Sequence, residues 1–296
     1  MNKNVLNKIK CKKNFNFDME KFNSYRLKFY TECIMYPENI QQLKDIIIIC
    51  KKNSIKYRVI GECSNLIFLG DYEGILIRLD KMNNIEFNGE IVYVEAGCNL
   101  KKIALKTIHM GLTGLEFACG IPGHIGSAIY NNSGAYKSDM GYIIDSVEVL
   151  TPDLEIKKMN NNELNYHYRD SFFKHNKGYI CLNATLKLKN GNSNESLRLV
   201  EDRKRRRLES QPLEYPSAGS VFRNPTGMYA GELIEKLGYK GYSINGAMVS
   251  LKHANFIINN CNASGNDIIK LINEIKENVR KEYNVDLVLE QEVVNE

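Results

Sequence analysis

"GIPGHIGSAIYNNSGAYKSDMG", residues 120–141, sets Gly120, Gly123, Gly126 and Gly134 among small and apolar residues. Glycines clustered in this way let backbone N–H groups come close to a diphosphate. The stretch is not a Walker A loop, since no Gly-Lys-Ser/Thr occurs, and it does not follow G-x-G-x-x-G. A second glycine-bearing segment, "VIGECSNLIF" at 59–68, lies where the run "YRVIG" reads as a short buried strand ending at Gly61. Taken singly, each segment reads equally well as a phosphate cradle or as an ordinary turn.

Working outward toward the N-terminus, "PENIQQLKDIIIICKKN" predicts a helix with Pro37 at its first position and Leu43, Ile46, Ile47 and Cys50 on one stripe. Asn88-Gly89 between two β-rich runs predicts a hairpin. "NLKKIALKTIHMG" predicts a helix capped by Asn99 and closed by Gly111.

Toward the C-terminus, "DSVEVL" and "EIKKM" flank Thr151-Pro152-Asp153 as a second hairpin. Residues 180–188 alternate Ile180, Leu182, Ala184, Leu186 and Leu188 with Cys181, Asn183, Thr185 and Lys187, the pattern of a half-buried strand. The polar "NGNSNES" and the charged helix "LRLVEDRKRRRLESQP" place a domain junction near 190–200. A last helix, from about Asn266 to Glu282, puts Ile268, Leu271, Ile272, Ile275 and Val279 on one face. The following "VDLVLEQEVV" alternates so that Glu292 points away from the packed side.

Composition bounds what such a chain can do. Its 296 residues, 43% hydrophobic and 25% charged, suit a globular protein of one large or two ordinary domains. Lys and Arg (40) exceed Asp and Glu (35) only slightly, which suits an acidic small molecule and does not point to nucleic acid. The eight cysteines form no C-x-x-C pair, and the five histidines show no ligand spacing, so no metal is expected. "RKRRR" at 203–207 points all round a helix and reads as a solvated face. The basic N-terminus lacks the apolar core of a signal peptide and "DIIIIC" is too short to span a bilayer, so a cytoplasmic protein without membrane partners is expected.

"YPSAGSVFRNP", 215–225, holds Ser220 outside any G-x-S-x-G elbow. Alone, it reads as a turn serine. In their order along the chain, however, the segments together resemble the UDP-N-acetylenolpyruvoylglucosamine reductase family. "VIGECSNLI" looks like the family's flavin-binding turn, and "GLTGLEFACGIPGHIGSAIYNNSGAY" is similar to its long glycine signature. "YRDS" (168–171), "PSAGSVFRNP", "LIEKLGYKGYSINGAMVSLKHANFIIN" (233–259) and "LEQEV" (289–293) match the remaining blocks. The likeness runs from about Asn23 to Val293, and co-linear motifs are far more specific than any one alone.

The resemblance implies an α/β (α+β) fold: an FAD-binding domain of the vanillyl-alcohol-oxidase type over 1–195, made of subdomains at roughly 1–80 and 81–195, and a C-terminal substrate domain over 196–296. It implies bound FAD, with NADPH as hydride donor and a UDP-sugar as substrate. Ile60, Gly61, Glu62, Cys63, Ser64, Asn65 and Leu66 would hold the cofactor, together with Gly120, Ile121, Pro122, Gly123, Gly126, Ser127, Ala128, Gly134 and Ala135. Tyr168, Arg169, Arg223, Asn224 and His253 would bind substrate, and Arg169, Ser220 and Glu292 would carry the chemistry. The compact form of the family, without an extra substrate-covering loop, and a monomer are expected. A related flavoprotein oxidase and a flavin-free binding protein are the competing readings.

Several positions depart from the family pattern. Lys28-Phe29 stand where it usually has Gly-Gly, Cys63 replaces the second glycine of the flavin turn, and Ser127, Lys137 and Asn245 stand at positions that are often glycine. A side chain at Cys63 is expected to cost roughly 1 kcal/mol if the turn needs positive φ.

Overall fold

The computed structural model describes residues 3–295 and separates into two units. The first comprises the chain up to Asn14, Cys33–Gly61 and Gly74–Lys204. The second comprises Phe15–Glu32, Glu62–Glu73 and the chain from Arg205 onward, so two N-terminal segments join the C-terminal fold.

In the first unit, the helix Ile40–Lys52 buries Leu43, Ile46, Ile47 and Cys50. It starts three residues after Pro37, because the Asn39 side chain accepts from the Gln42 N–H and supplies the cap. The strand Tyr57–Ile60 that follows runs parallel to Ile75–Arg78 of the strand Tyr72–Arg78. It is only half-buried before Ile60, less buried than its apolar composition predicts.

The five-stranded sheet of this unit runs Ile156–Asn160, Ile144–Leu150, Ile180–Lys187, Ile91–Glu95, Ile85–Asn88, all antiparallel. Both predicted hairpins are present in it. Ile180–Lys187 is central, and Cys181 and Asn183 are buried as well as the apolar set, against the half-buried expectation. The helix Ile125–Asn131 packs on that strand, and Asn183 is accommodated by donating through Nδ2 to Glu148 Oε2 at 2.7 Å. Gly126 brings the start of the same helix close to Ala96, just past the strand Ile91–Glu95. Its N–H reaches Ala96 O at 2.9 Å, and a Cβ there would stand 3.0 Å from the Ala96 methyl.

In the second unit, the helix Gly265–Tyr283 buries Ile268, Leu271, Ile272, Ile275 and Val279, and starts at a reciprocal Ser264–Asp267 capping box. This face packs on the small sheet Ser243–Ile244, Ala247–Val249, Ile257–Asn259. The C-terminal segment is not the single long strand its alternation predicts. Leu289 bridges Phe222, and then Glu292–Val294 runs parallel to Leu66–Phe68. The change of partner shortens the regular strand to three residues but keeps its parity, with Leu287 and Gln291 buried and Val288 exposed. Among the described residues no helix is long and apolar enough to cross a membrane, and no cluster of His, Cys, Asp and Glu could hold a metal ion.

Candidate functional site

Gly61, directly after Tyr57–Ile60, and the glycine segment meet within the first unit. Ser127 Oγ accepts from the His124 N–H (3.2 Å) and donates to His124 O (2.8 Å), closing the start of the helix Ile125–Asn131. A Cβ on Gly61 would lie 2.9 Å from that Oγ and 3.1 Å from Ser127 Cβ. Glycine at 61 therefore lets the main chain at that residue lie directly on the capped helix start. His124 is buried with its Nδ1 3.7 Å from Asp80 Oδ1, and Arg78 grips Asp80 through both Nε (3.0 Å) and Nη2 (2.9 Å). Gly123 sits at φ 127°, and its carbonyl accepts from the Leu100 N–H at 3.0 Å.

Gly61→Ala is expected to destabilise the protein by about 1–3 kcal/mol, as over-packing does. Adding Ser127→Gly is expected to restore about 1 kcal/mol or more of that through removal of the contact. Unfolding midpoints of the two single variants and the double variant check this. Purely additive effects would show that the two positions are not coupled.

Further along, Gly134–Ala135 pairs with Ser138–Asp139, and Gly134 O accepts from Arg169 Nη2 at 2.7 Å. Arg169 itself stands at φ 56°, in the left-handed region. Its carbonyl accepts from Lys174 Nζ at 3.0 Å, and its guanidinium carbon lies 5.2 Å from the centre of the half-exposed Tyr168 ring. Burial raises the Asp139 carboxyl, although hydrogen bonds and the Arg169 charge oppose the shift. Nearby, the buried Tyr166 hydroxyl has no hydrogen-bond partner among the described residues, and burial pushes its phenol well above the ordinary range.

The second unit holds the rest of the flavin-type turn with Ser220 and Glu292. Asn65 Nδ2 donates to Glu290 O (3.1 Å), and Asn65 O accepts from the Glu292 N–H (2.9 Å), so the turn is tied to the strand bearing the carboxylate. Ser220 follows Gly219, which is at φ 77°. Beyond it the chain is anchored: Asn255 O accepts from the Val221 N–H, and the Asn255 carboxamide engages both main-chain groups of Phe222. Val221 and Phe222 are buried, whereas Ser220 is half-exposed and no described residue hydrogen-bonds its Oγ.

Arg223 has a buried Nε without a hydrogen-bond partner among the described residues. Asn224 is already partly used, since its Oδ1 accepts from Ala230 N–H at the start of the helix Ala230–Lys236. His253 Nδ1 accepts from the Asn255 N–H at 3.2 Å, which leaves the proton of the neutral ring on Nε2. Burial, helped by Lys240, lowers the His253 pKa and keeps that ring neutral. Of the proposed catalytic residues, Arg169 thus belongs to the first unit and Ser220 and Glu292 to the second.

The departures from glycine resolve into two kinds. Cys63, Lys137 and Asn245 stand at φ 51°, 61° and 49°, so each keeps the left-handed backbone that glycine would adopt freely. Cys63 accordingly carries strain of about 1 kcal/mol. Phe29 has no such φ; it is buried and stacks on Phe68 with ring centres 4.3 Å apart. Arg78, Asp80 and His124 escaped the sequence reading. "RLD" at the end of a strand that pairs with "YRVI" was the available signal.

Residues 211–294 match the family model of the UDP-N-acetylenolpyruvoylglucosamine reductase C-terminal domain, and residues 31–160 match that of an FAD binding domain. The chain is similar to UDP-N-acetylenolpyruvoylglucosamine reductase of Clostridium beijerinckii, with 42% identity over 266 residues, 90% of this chain and 87% of that one. Its fold is similar to that of UDP-N-acetylenolpyruvylglucosamine reductase from Thermus caldophilus. The TM-score is 0.81 at 30% identity, covering 97% of this chain and 99% of that one. A chitooligosaccharide oxidase, 14% identical, gives a TM-score of 0.50 over 64% of this chain and 43% of its own, which bears on the fold alone. The architecture is that of an FAD-binding domain of the vanillyl-alcohol-oxidase type with a C-terminal domain.

Proposed function

The chain belongs to the UDP-N-acetylenolpyruvoylglucosamine reductase family, and on that ground we propose that it reduces the enolpyruvyl group of UDP-N-acetylenolpyruvoylglucosamine to give UDP-N-acetylmuramate for peptidoglycan synthesis. Hydride relay from NADPH to the methylene carbon of that group is the chemistry FAD supplies when bound. The turn 60–66 and the glycine segment 120–135 would hold it. They fit such a group in being bare of side chains: Gly123 stands at φ 127°, and Gly61 lies against the capped start of the helix Ile125–Asn131, where a Cβ would meet Ser127.

Once hydride has reached the methylene carbon, electron density moves to the neighbouring carbon and its carboxylate. In this reading the Arg169 fork pairs with that carboxylate, and Glu292, in its protonated form, donates a hydrogen bond that stabilises the enolate. Ser220 Oγ–H then gives its proton to the carbon, forming the new C–H bond while the serine oxygen is left to be reprotonated by water. A hydroxyl is a weak acid, yet the acceptor is a strongly basic carbon, so the transfer runs downhill without a partner base. The observation that carries this reading is the unengaged Ser220 hydroxyl on a rigidly anchored main chain beside the Glu292 strand.

Arg223, with its unpartnered Nε, suits the substrate diphosphate, and the Nε2–H of His253 suits an acceptor on the nucleotide. Tyr168 and Asn224 complete the substrate side of this reading. The FAD-binding part is taken as 1–195 and the substrate part as 196–296, supported by the matched spans 31–160 and 211–294. A monomer working in the cytoplasm on soluble nucleotides completes the reading.

Purified protein is expected to be yellow, to lose its flavin absorbance with NADPH, and to regain it with the enolpyruvyl UDP-sugar faster than with oxygen. Colourless protein that takes up no added FAD would overturn the proposal, and faster reoxidation by oxygen would make it an oxidase.

A further inference from the structure

Gln291 breaks a local rule. It occupies an inward position of the C-terminal segment, in phase with buried Leu287, yet it is polar and itself only 3% exposed. Every one of its polar groups has a use. Nε2 donates to Ala218 O (3.0 Å) and to Gly219 O (3.2 Å), the two carbonyls preceding Ser220. Oε1 accepts from the hydroxyl of Tyr25 at 2.9 Å. The orientation of the amide is unambiguous, because two carbonyls can only accept and so must face its nitrogen. Tyr25 is fully buried, which keeps its phenol protonated and a donor. Its own carbonyl accepts from Asn259 Nδ2 at 2.8 Å, and the Asn259 N–H returns to Pro216 O at 2.9 Å.

We propose that Tyr25 and Gln291 are positioning residues for Ser220, a buried hydroxyl–amide clamp that fixes the peptide before the serine. This rests on the reading of Ser220 as proton donor. On the far side of the serine, Asn255 holds Phe222, so Ser220 stands between two fastenings and only its side chain is left to rotate. Gln291 is also the residue before Glu292, whose N–H is held by Asn65 O, so one amide sets the main chain beside both groups. A leucine at 291 would fill the apolar space as well, but it could not hold the two carbonyls. A polar residue kept at a core position, with a full set of partners, marks a geometric requirement rather than a packing one.

The test uses the complete flavin-loaded protein and measures the two half-reactions separately in Ser220→Ala, Tyr25→Phe, Gln291→Leu and the Tyr25→Phe/Gln291→Leu pair. Tyr25→Phe removes one oxygen and keeps the packing. It is expected to slow reoxidation by the UDP-sugar about tenfold, and Gln291→Leu about 10- to 100-fold, the scale of a displaced donor. Reduction by NADPH and flavin content of Tyr25→Phe are expected to stay near wild type, with a lowered unfolding midpoint because Gln291 Oε1 is left buried without its donor. The double variant is expected to match Gln291→Leu alone, since Tyr25 acts through Gln291. In both single variants the solvent deuterium isotope effect on reoxidation is expected to rise, as proton delivery becomes limiting.

If Ser220→Ala slows reoxidation while Tyr25→Phe and Gln291→Leu do not, the clamp has no positioning role and the inference falls. If both half-reactions decline together with flavin content, the clamp is structural and the inference falls likewise. Reoxidation unaffected in Ser220→Ala would instead remove the reading of the serine on which the clamp depends.

Discussion

Ser220→Ala is expected to leave reduction of the bound flavin by NADPH within about twofold of wild type and to slow reoxidation by the enolpyruvyl UDP-sugar by about 10²-fold or more, the scale of a lost general acid. The asymmetry follows from where the hydroxyl enters the chemistry. In the proposed reaction it takes no part in the first hydride transfer and supplies a proton only after the second. The geometry supports a clean deletion, because no described residue hydrogen-bonds Ser220 Oγ. Removing it therefore leaves no buried partner unsatisfied, and the flanking main chain is held by Gln291 and Asn255 rather than by the serine itself. Residual turnover would reflect slow protonation by water. A cysteine at 220, a better acid of similar shape, is expected to recover part of the rate. Stopped-flow absorbance of each half-reaction checks the split. Equal slowing of both halves would show that Ser220 lines the flavin site instead.

The parts of the fold that sequence reveals are those fixed by neighbours in the chain. Asn99 caps the helix Leu100–His109 by accepting from the Lys102 N–H, Asn88-Gly89 turns a hairpin, and five apolar residues of Gly265–Tyr283 share one buried face. What fails are features decided by distant partners. The Pro37 expectation lost to a cap two residues on, where Asn39 could satisfy a free N–H and proline could not. Asn183 reads as solvent-facing because alternation cannot tell that Ile180–Lys187 lies between two other strands with a helix packed on it.

The site divides in the same way. Glycine-rich segments and the Ser220 block are visible as motifs, whereas the Tyr25–Gln291 hydrogen bond joins residues 266 positions apart and leaves no local trace. The replaced glycines are instructive in another sense. The resemblance marks Cys63, Lys137 and Asn245 as departures from glycine, and each has a positive φ, the backbone region that glycine adopts freely. Asparagine tolerates that region with little penalty, so most of the strain rests on Cys63 and Lys137.

Arg169→Lys is expected to lower kcat/KM for the UDP-sugar by about 10²- to 10³-fold, the range for losing a donor aimed at developing charge. Charge is conserved in this variant, so the loss measures geometry. Arg169 uses Nη2 to hold Gly134 O at 2.7 Å, and a planar guanidinium presents its donors in a fixed fork that matches the two oxygens of a carboxylate. An ammonium is a single point with three donors. It can reach toward Gly134 O or toward the substrate, but it cannot serve both at the spacing of the fork. Its hydrogen bond to Gly134 also links the arginine to the glycine segment, so the flavin content of the variant must be measured beside its kinetics. The expected pattern is near-normal flavin content and NADPH reduction, a raised KM for the UDP-sugar, and a reoxidation rate at saturation that is also reduced. The last element matters most, since a residue that merely bound the ground state would raise KM and leave the saturated rate alone. A lysine variant within tenfold of wild type would show that Arg169 contributes charge without the paired contact, and the enolate would then depend on Glu292 and Ser220 alone.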